Sequence, residues 1–256
     1  MTAGTSTYAP GTPIWVDLGS PDPQASTRFY GQLFGWDAED LGEQAGHYTM
    51  FRHGGQQVAA VGPLMNENQP PAWSTYVSTA NAEETARRVT EAGGQVLVPP
   101  FAVMDQGTMA VFMDPSGAAF SVWQPAMMQG AQKFNQPGSL TWNELETRDP
   151  ETAKAFYPKV FDWGVKSNPM PSGGEYIEWQ VNGNSIAGGQ PMGANMPPQV
   201  PPHWLVYFSV ANTDDTVKRA QELGAKVMSG PHDIPQGRFA VLTDPQGAAF
   251  AIMQNA

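Results

Sequence analysis

The feature that most limits what this 256-residue chain can fold into is that it repeats itself. Gly11-Thr-Pro-Ile-Trp15-Val-Asp17-Leu18 returns as Gly138-Ser-Leu-Thr-Trp142-Asn-Glu144-Leu145. The register continues through Asp22-Pro23 and Asp149-Pro150, Phe29-Tyr30 and Phe156-Tyr157, then Phe34 with Trp36 and Phe161 with Trp163. A second block also recurs. Tyr76, Asn81 and Gly93 answer to Tyr207, Asn212 and Gly224, and Asp114-Pro-Ser-Gly-Ala-Ala-Phe120 answers to Asp244-Pro-Gln-Gly-Ala-Ala-Phe250. Repeated supersecondary units of this kind cannot bury their apolar faces alone and must pair.

Each block reads as a strand, a helix and further strands. Val16 and Leu18 alternate with Trp15 and Asp17, the period of two that marks a strand. Asp22 is a good N-cap, Pro23 suits the first helical position, and Phe29, Leu33 and Phe34 form an apolar face before Gly35 stops the helix. The copy at Asp149-Pro150 carries Pro158 within its pattern, which predicts a distortion or an early end. Asn81 with Glu84 and Asn212 with Asp215 have capping-box spacing, and Gly93 and Gly224 end those helices. The Asp-Pro-x-Gly tetrapeptides at 114–117 and 244–247 predict tight turns in antiparallel hairpins. Segments rich in Pro, Asn and Gln at 63–72, 127–137 and 191–203 separate the blocks. The expected fold is α+β: four βαβββ modules paired into two curved open-barrel sheets, with domains at 1–130 and 131–256.

Composition bounds the function. A hydrophobic content of 41% with eight Trp predicts a packed chain, and a formal charge of -11 leaves no basic stripe for nucleic acid or an anionic membrane. The absence of cysteine excludes disulfides, thiolate nucleophiles and Cys-ligated zinc. No apolar run approaches the roughly 18 residues of a membrane span, and Met1 to Pro13 lacks a basic segment followed by an apolar one. A cytoplasmic monomer or homodimer is expected, with leaderless export left open.

The β1 strand, the Asp-initiated helix with Phe-Tyr and Phe-x-Trp, and the late Asp-Pro-x-Gly hairpin together resemble the glyoxalase, bleomycin-resistance and extradiol-dioxygenase (vicinal oxygen chelate) superfamily. The likeness covers nearly the whole chain. It is greatest to the four-module, two-repeat bacterial branch labelled glyoxalase-like or hydroxylase, some members of which lie in aromatic polyketide pathways. The resemblance implies metal ligands at set strand positions, which here fall on Trp15 and Trp142, Ser74 and Leu205, and Ser121 and Ala251. An indole offers no lone pair to a metal, and the last-strand glutamates are absent. No metal and no cofactor are therefore expected. The four histidines, His47, His53, His203 and His232, read as surface or loop residues, His232 in a loop after Pro231.

Alternation from Val16 and Leu18 turns Trp15 and Asp17 toward the concave faces, and likewise Trp142, Glu144 and Glu146. Similar counting adds Tyr76, Ser121 and Trp123 in the first half, and Tyr207 and Met253 in the second. The expected site is an aromatic hollow with one or two carboxylates near its rim, suited to a hydrophobic or aromatic small molecule. Asp17 and Glu144, equivalent in the repeat, are the candidate general bases or ligand anchors; alternatively they sit in water at strand ends, and the aromatic residues fill the hollow as core. Two functions stay open. One is a metal-free binding protein. The other is an enzyme: a glyoxalase-like lyase or isomerase, a hydroxylase or oxygenase, or an acid–base catalyst.

Overall fold

The computed structural model describes residues 8–66, 68–171, 173–193 and 196–256. Its elements follow the repeat. The first module is β1 (Pro13–Ser20), α1 (Pro23–Phe34), β2 (Asp37–Asp40), β3 (Thr49–His53) and β4 (Gln56–Pro63), with a 3-10 turn at Glu43–Ala45. The second is β5 (Ala72–Ser78), α2 (Ala82–Glu91), β6 (Gln95–Val103), β7 (Gly107–Met113) and β8 (Ala119–Pro125). The third is β9 (Ser139–Thr147), α3 (Pro150–Phe161), β10 (Gly164–Pro169), β11 (Glu175–Val181) and β12 (Asn184–Pro191). The fourth is β13 (His203–Ser209), α4 (Thr213–Glu222), β14 (Lys226–Ile234), β15 (Gly237–Thr243) and β16 (Ala249–Asn255).

The strands form two open eight-stranded sheets, ordered β2-β3-β4-β1-β5-β8-β7-β6 and β10-β11-β12-β9-β13-β16-β15-β14. Within each module the last three strands run antiparallel and the fourth returns parallel to the first, as in the pairing of Asp17 with Ala60 and of Glu144 with Gly188. The expected α+β architecture of four βαβββ modules is therefore present. No helix among the described residues is long and apolar enough to cross a membrane.

Local chemistry accounts for the element ends. Asp22 and Asp149 accept the backbone N–H of Ala25 and Thr152, and Gly35 closes α1 in the left-handed region at φ 69°. Asn81 and Asn212 cap α2 and α4 through the N–H groups of Glu84 and Asp215. The reciprocal arm of the capping box is not made at Asn81. Its own N–H bonds Thr79 Oγ1 at 3.2 Å, while the Glu84 carboxylate is taken by Arg87 and Arg88.

Two expectations are corrected. Helix α3 continues through Pro158 to Phe161, because Phe156, Tyr157 and Val160 are buried around the proline and fix that turn. His232 lies within β14 rather than in a loop. The strand takes up Pro231, which has no N–H to give a ladder, in a register shift between Ser229 and His232.

The chain divides into two compact units, each drawing one module from either half of the sequence. The unit of residues 15–74, 131–142 and 205–256 is centred on Tyr30. Trp73 Nε1 donates to the Tyr30 hydroxyl at 2.9 Å, and that hydroxyl donates to Asp244 Oδ2 at 3.0 Å. Phe29, Trp36, Phe51 and Phe250 surround the ring. The unit of residues 1–14, 75–130 and 143–204 repeats the scheme around Tyr157, with Trp204 donating at 2.9 Å and Asp114 accepting at 2.9 Å. The turn aspartates thus do two jobs. One Asp114 oxygen collects the N–H groups of Ser116, Gly117 and Ala118 and ties the β7–β8 turn, while the other satisfies a buried tyrosine.

Candidate functional site

Strand alternation sorts the proposed site residues from the helix-side cores. Val16 and Leu18 join the core around Tyr30, whereas Trp15, only 4% exposed, faces the other way. Its indole N–H donates to Tyr48 Oη at 3.1 Å, and the Tyr48 hydroxyl donates to Asp17 Oδ2 at 3.0 Å. Asp17 is half-buried.

The equivalent strand in the other unit carries more polar chemistry. Leu145 enters the core around Tyr157, and Asn143 accepts the hydroxyl of Thr75 at 2.8 Å. Glu144 and Glu146 are 5% and 6% exposed, so they are buried rather than placed at a solvated rim. Tyr176, from β11, donates its hydroxyl to Glu144 Oε2 at 2.7 Å. Gln190, opposite Glu146 on β12, donates its amide to Glu144 Oε1 at 3.1 Å and to Glu146 Oε1 at 2.7 Å. Burial above all, then the charge of Glu144 and a hydrogen bond between the two carboxyls, pushes the Glu146 pKa up to about 8 against the opposing pull of Gln190. At neutral pH Glu146 holds a proton.

The repeat shows what is special here. Tyr48 and Tyr176 play matching parts toward Asp17 and Glu144. Glu146 and Gln190, however, correspond to the paired Gly19 and Gly62. A Cβ at Gly62 would lie 3.2 Å from the Tyr48 ring, so that ring covers the position from which Gln190 projects in the copy. Tyr48 and Tyr176 were not apparent as site residues in the sequence; their only signal was a Tyr recurring one residue out of the register set by the first strand.

The remaining candidates lie on the strand face away from the helix-side cores. Val77 and Val122 point into the core around Tyr157, which leaves Tyr76, Ser121 and Trp123 on the opposite face, with Tyr76 beside Ser121 in register. The Trp123 indole N–H donates to Met128 O at 2.8 Å, and the ring lies flush on Gly107, where any side chain would collide with it. In the other unit Leu205, Tyr207, Ala251 and Met253 form a separate apolar cluster, with Trp142, Phe239 and Val241 packed against it.

The histidines are engaged elsewhere. His47 pairs with Asp40 at 3.1 Å on the surface, His53 lies 3.2 Å from Lys133 Nζ, and His232 lies 2.9 Å from Ser229 Oγ. The His203 ring stands 2.9 Å from Pro201 O, and burial holds its pKa below the ordinary value. Among the described residues no three His, Asp or Glu side chains come together to hold an ion. The positions at which the superfamily's ligands are expected present two indoles, Ser74, Leu205, Ser121 and Ala251. This donor set does not fit a divalent cation, and no chemical step is derived through one.

Comparison with known proteins agrees with the fold. Residues 13–122 match the model of the Glyoxalase/Bleomycin resistance protein/Dioxygenase superfamily, and residues 142–253 match that of a glyoxalase-like domain. The chain is 42% identical over 267 residues to the anthracycline biosynthesis protein DauV of Streptomyces sp. (strain C5), covering 96% of this chain and 94% of that one. It is 41% identical over 267 residues, with the same coverage, to the anthracycline biosynthesis protein DnrV of Streptomyces peucetius. Among solved structures it resembles the Mn(II)-bound glyoxalase from Novosphingobium aromaticivorans, with a TM-score of 0.67 at 17% identity over 96% of this chain and 82% of that one. At that identity the likeness is one of fold.

Proposed function

Because the chain belongs to the glyoxalase/bleomycin resistance protein/dioxygenase superfamily, we propose that it binds a hydrophobic, hydroxylated aromatic small molecule without a metal. The observation that carries this reading is the buried set of Glu144, Glu146, Tyr176 and Gln190. Two carboxyl groups this deeply buried cost several kcal/mol against an apolar filling of the same strand positions. The first-half counterparts Gly19 and Gly62 indicate that the fold does not require them. A ligand bearing phenol or enol hydroxyls would use those carboxyl oxygens as acceptors. The relatives' place in anthracycline biosynthesis favours a fused-ring ligand. Asp17, with Tyr48, is the corresponding anchor in the other half.

Isothermal titration with 1,8-dihydroxyanthraquinone and with 2-naphthol tests the reading. Saturable binding of both at about micromolar Kd, by protein holding less than about a tenth of an equivalent of any transition metal, is expected. No saturable heat with either compound, or a stoichiometric metal whose removal abolishes binding, would overturn it.

A second reading, an acid–base enzyme, is favoured by one specific observation. One Gln190 amide holds the buried carboxyls of Glu144 and Glu146 side by side, at 3.1 and 2.7 Å, and burial there raises the Glu146 pKa, which suits a pair that donates and accepts protons.

A further inference from the structure

We propose that the unit centred on Tyr30 holds a second small-molecule site, a cleft in which His53 takes the carboxylate of a small ligand with an apolar body. The cleft has a volume of about 270 Å³ and is walled by Leu33, Phe34, Pro137 and Val210, with His53 among them. Lys133 Nζ donates to His53 Nδ1 at 3.2 Å, so the ring proton sits on Nε2, which is left to donate to a ligand. Among the described residues Lys133 pairs with no carboxylate. A lysine charge left unanswered on a chain of formal charge -11, behind an N–H donor and an apolar wall, is the chemistry that recognises a carboxylate.

The repeat shows that the fold does not require this arrangement. The counterpart cleft in the other unit, about 230 Å³, is lined by Pro10, Gly11, Thr79, Val160 and Phe161. Trp36 donates to Gly138 O and Trp163 to Gly11 O, each at 2.8 Å, which marks the two clefts as the same place in the module. In the counterpart the cation is answered from within, because Arg88 donates to Asp162 at 2.9 Å and to Glu84 at 3.2 Å. Beside His53 that carboxylate is missing. Gly35 stands where the copy has Asp162, both in the left-handed region at φ 69° and 58°, and Arg219, the match of Arg88, pairs with Glu222 instead. His53 itself replaces a valine: a side chain at Gly138 would meet His53, and one at Gly11 would meet Val181. The two exchanges turn a self-neutralised cleft into a cationic one, and a ligand carboxylate completes it. Lys133 is the positioning residue, fixing the His53 tautomer and adding its charge.

The test is titration of benzoate into the full chain, followed by calorimetry and by the His53 ring signals in proton NMR, with benzamide as the uncharged isostere. Saturable binding of benzoate at a Kd of about 1 mM or tighter is expected, with benzamide at least about tenfold weaker. His53→Val, the side chain that the repeat already accommodates, should weaken benzoate at least about tenfold and leave 1,8-dihydroxyanthraquinone binding unchanged. Gly35→Asp, which returns the carboxylate of the counterpart, should do the same by repulsion. Lys133→Met should weaken benzoate about fivefold and flatten the dependence of its Kd on salt. No saturable binding of benzoate up to about 10 mM, equal affinity for benzamide, or undiminished affinity in His53→Val overturns the proposal, the last by placing benzoate elsewhere. None of these results touches the reading built on Glu144 and Glu146, and failure of 1,8-dihydroxyanthraquinone to bind leaves the His53 site standing.

Discussion

At the scale of the residue, the most consequential atom is the proton on Glu146. Its folded pKa of about 8 lies above the ordinary carboxyl value of 4.5, so between those values the folded state holds a proton that the unfolded chain releases. Stability from this group is complete below about pH 4.5 and is lost as pH rises through about 8, at about 1.4 kcal/mol per pH unit across the window. Glu146→Gln removes that dependence. Urea unfolding at pH 5 and pH 8.5 should show the unmodified protein losing several kcal/mol more than the variant between the two conditions, and parallel losses would refute the assignment. Buried tyrosines give the opposite lesson. Tyr30→Phe strips Asp244 and Trp73 of a partner and should cost about 1–3 kcal/mol in the same assay. Facing could be read from alternation at Trp15, Asp17 and Glu144. The partners could not, because Tyr176 reaches Glu144 from another strand and Gln190 meets Glu146 only through a strand register that no local pattern encodes.

At the scale of the element, caps and turns were legible because their chemistry is local. Asp22, Asn81, Asp149 and Asn212 each bond a backbone N–H three residues ahead, and Asn81→Ala should lower stability by about 1 kcal/mol. Pro158 shows where local reading fails. Its missing amide favours ending the helix, yet Phe156, Tyr157 and Val160 gain more by staying in the core around Trp163, Trp179 and Trp204. Pro158→Ala restores a backbone donor and gives up the stiffness of the unfolded chain, so a net gain of about 1–2 kcal/mol is expected. A lower melting temperature for this variant would mean that the proline ring itself packs in α3. His232 reflects the same limit, since a strand that takes up a proline in an irregular register resembles a loop when only the nearest residues are read.

At the scale of the whole molecule, the repeat disclosed four modules but not which of them share a core. Each of the two kinds of module occurs once in either half with the same apolar pattern, so periodicity alone offers no preference. Long-range hydrogen bonds settle it: Tyr30 of the first module reaches Asp244 of the fourth, and Tyr157 of the third reaches Asp114 of the second. Each compact unit therefore needs both halves of the sequence. Residues 1–130 made alone would leave Tyr30 without Asp244 and Phe34 without Phe208 and Phe250, exposing an aromatic surface that water does not tolerate. Residues 131–256 alone would likewise leave Tyr157 without Asp114 and Phe156 without Phe120. Each fragment by itself is expected to aggregate or to melt without cooperativity, whereas the two produced together should co-elute as a 1:1 complex. That complex should recover the near-ultraviolet circular dichroism of the intact chain, whose signal from clustered indoles reports these contacts. Cooperative unfolding of monomeric residues 1–130 would show that a sheet made from one half of the sequence is self-sufficient.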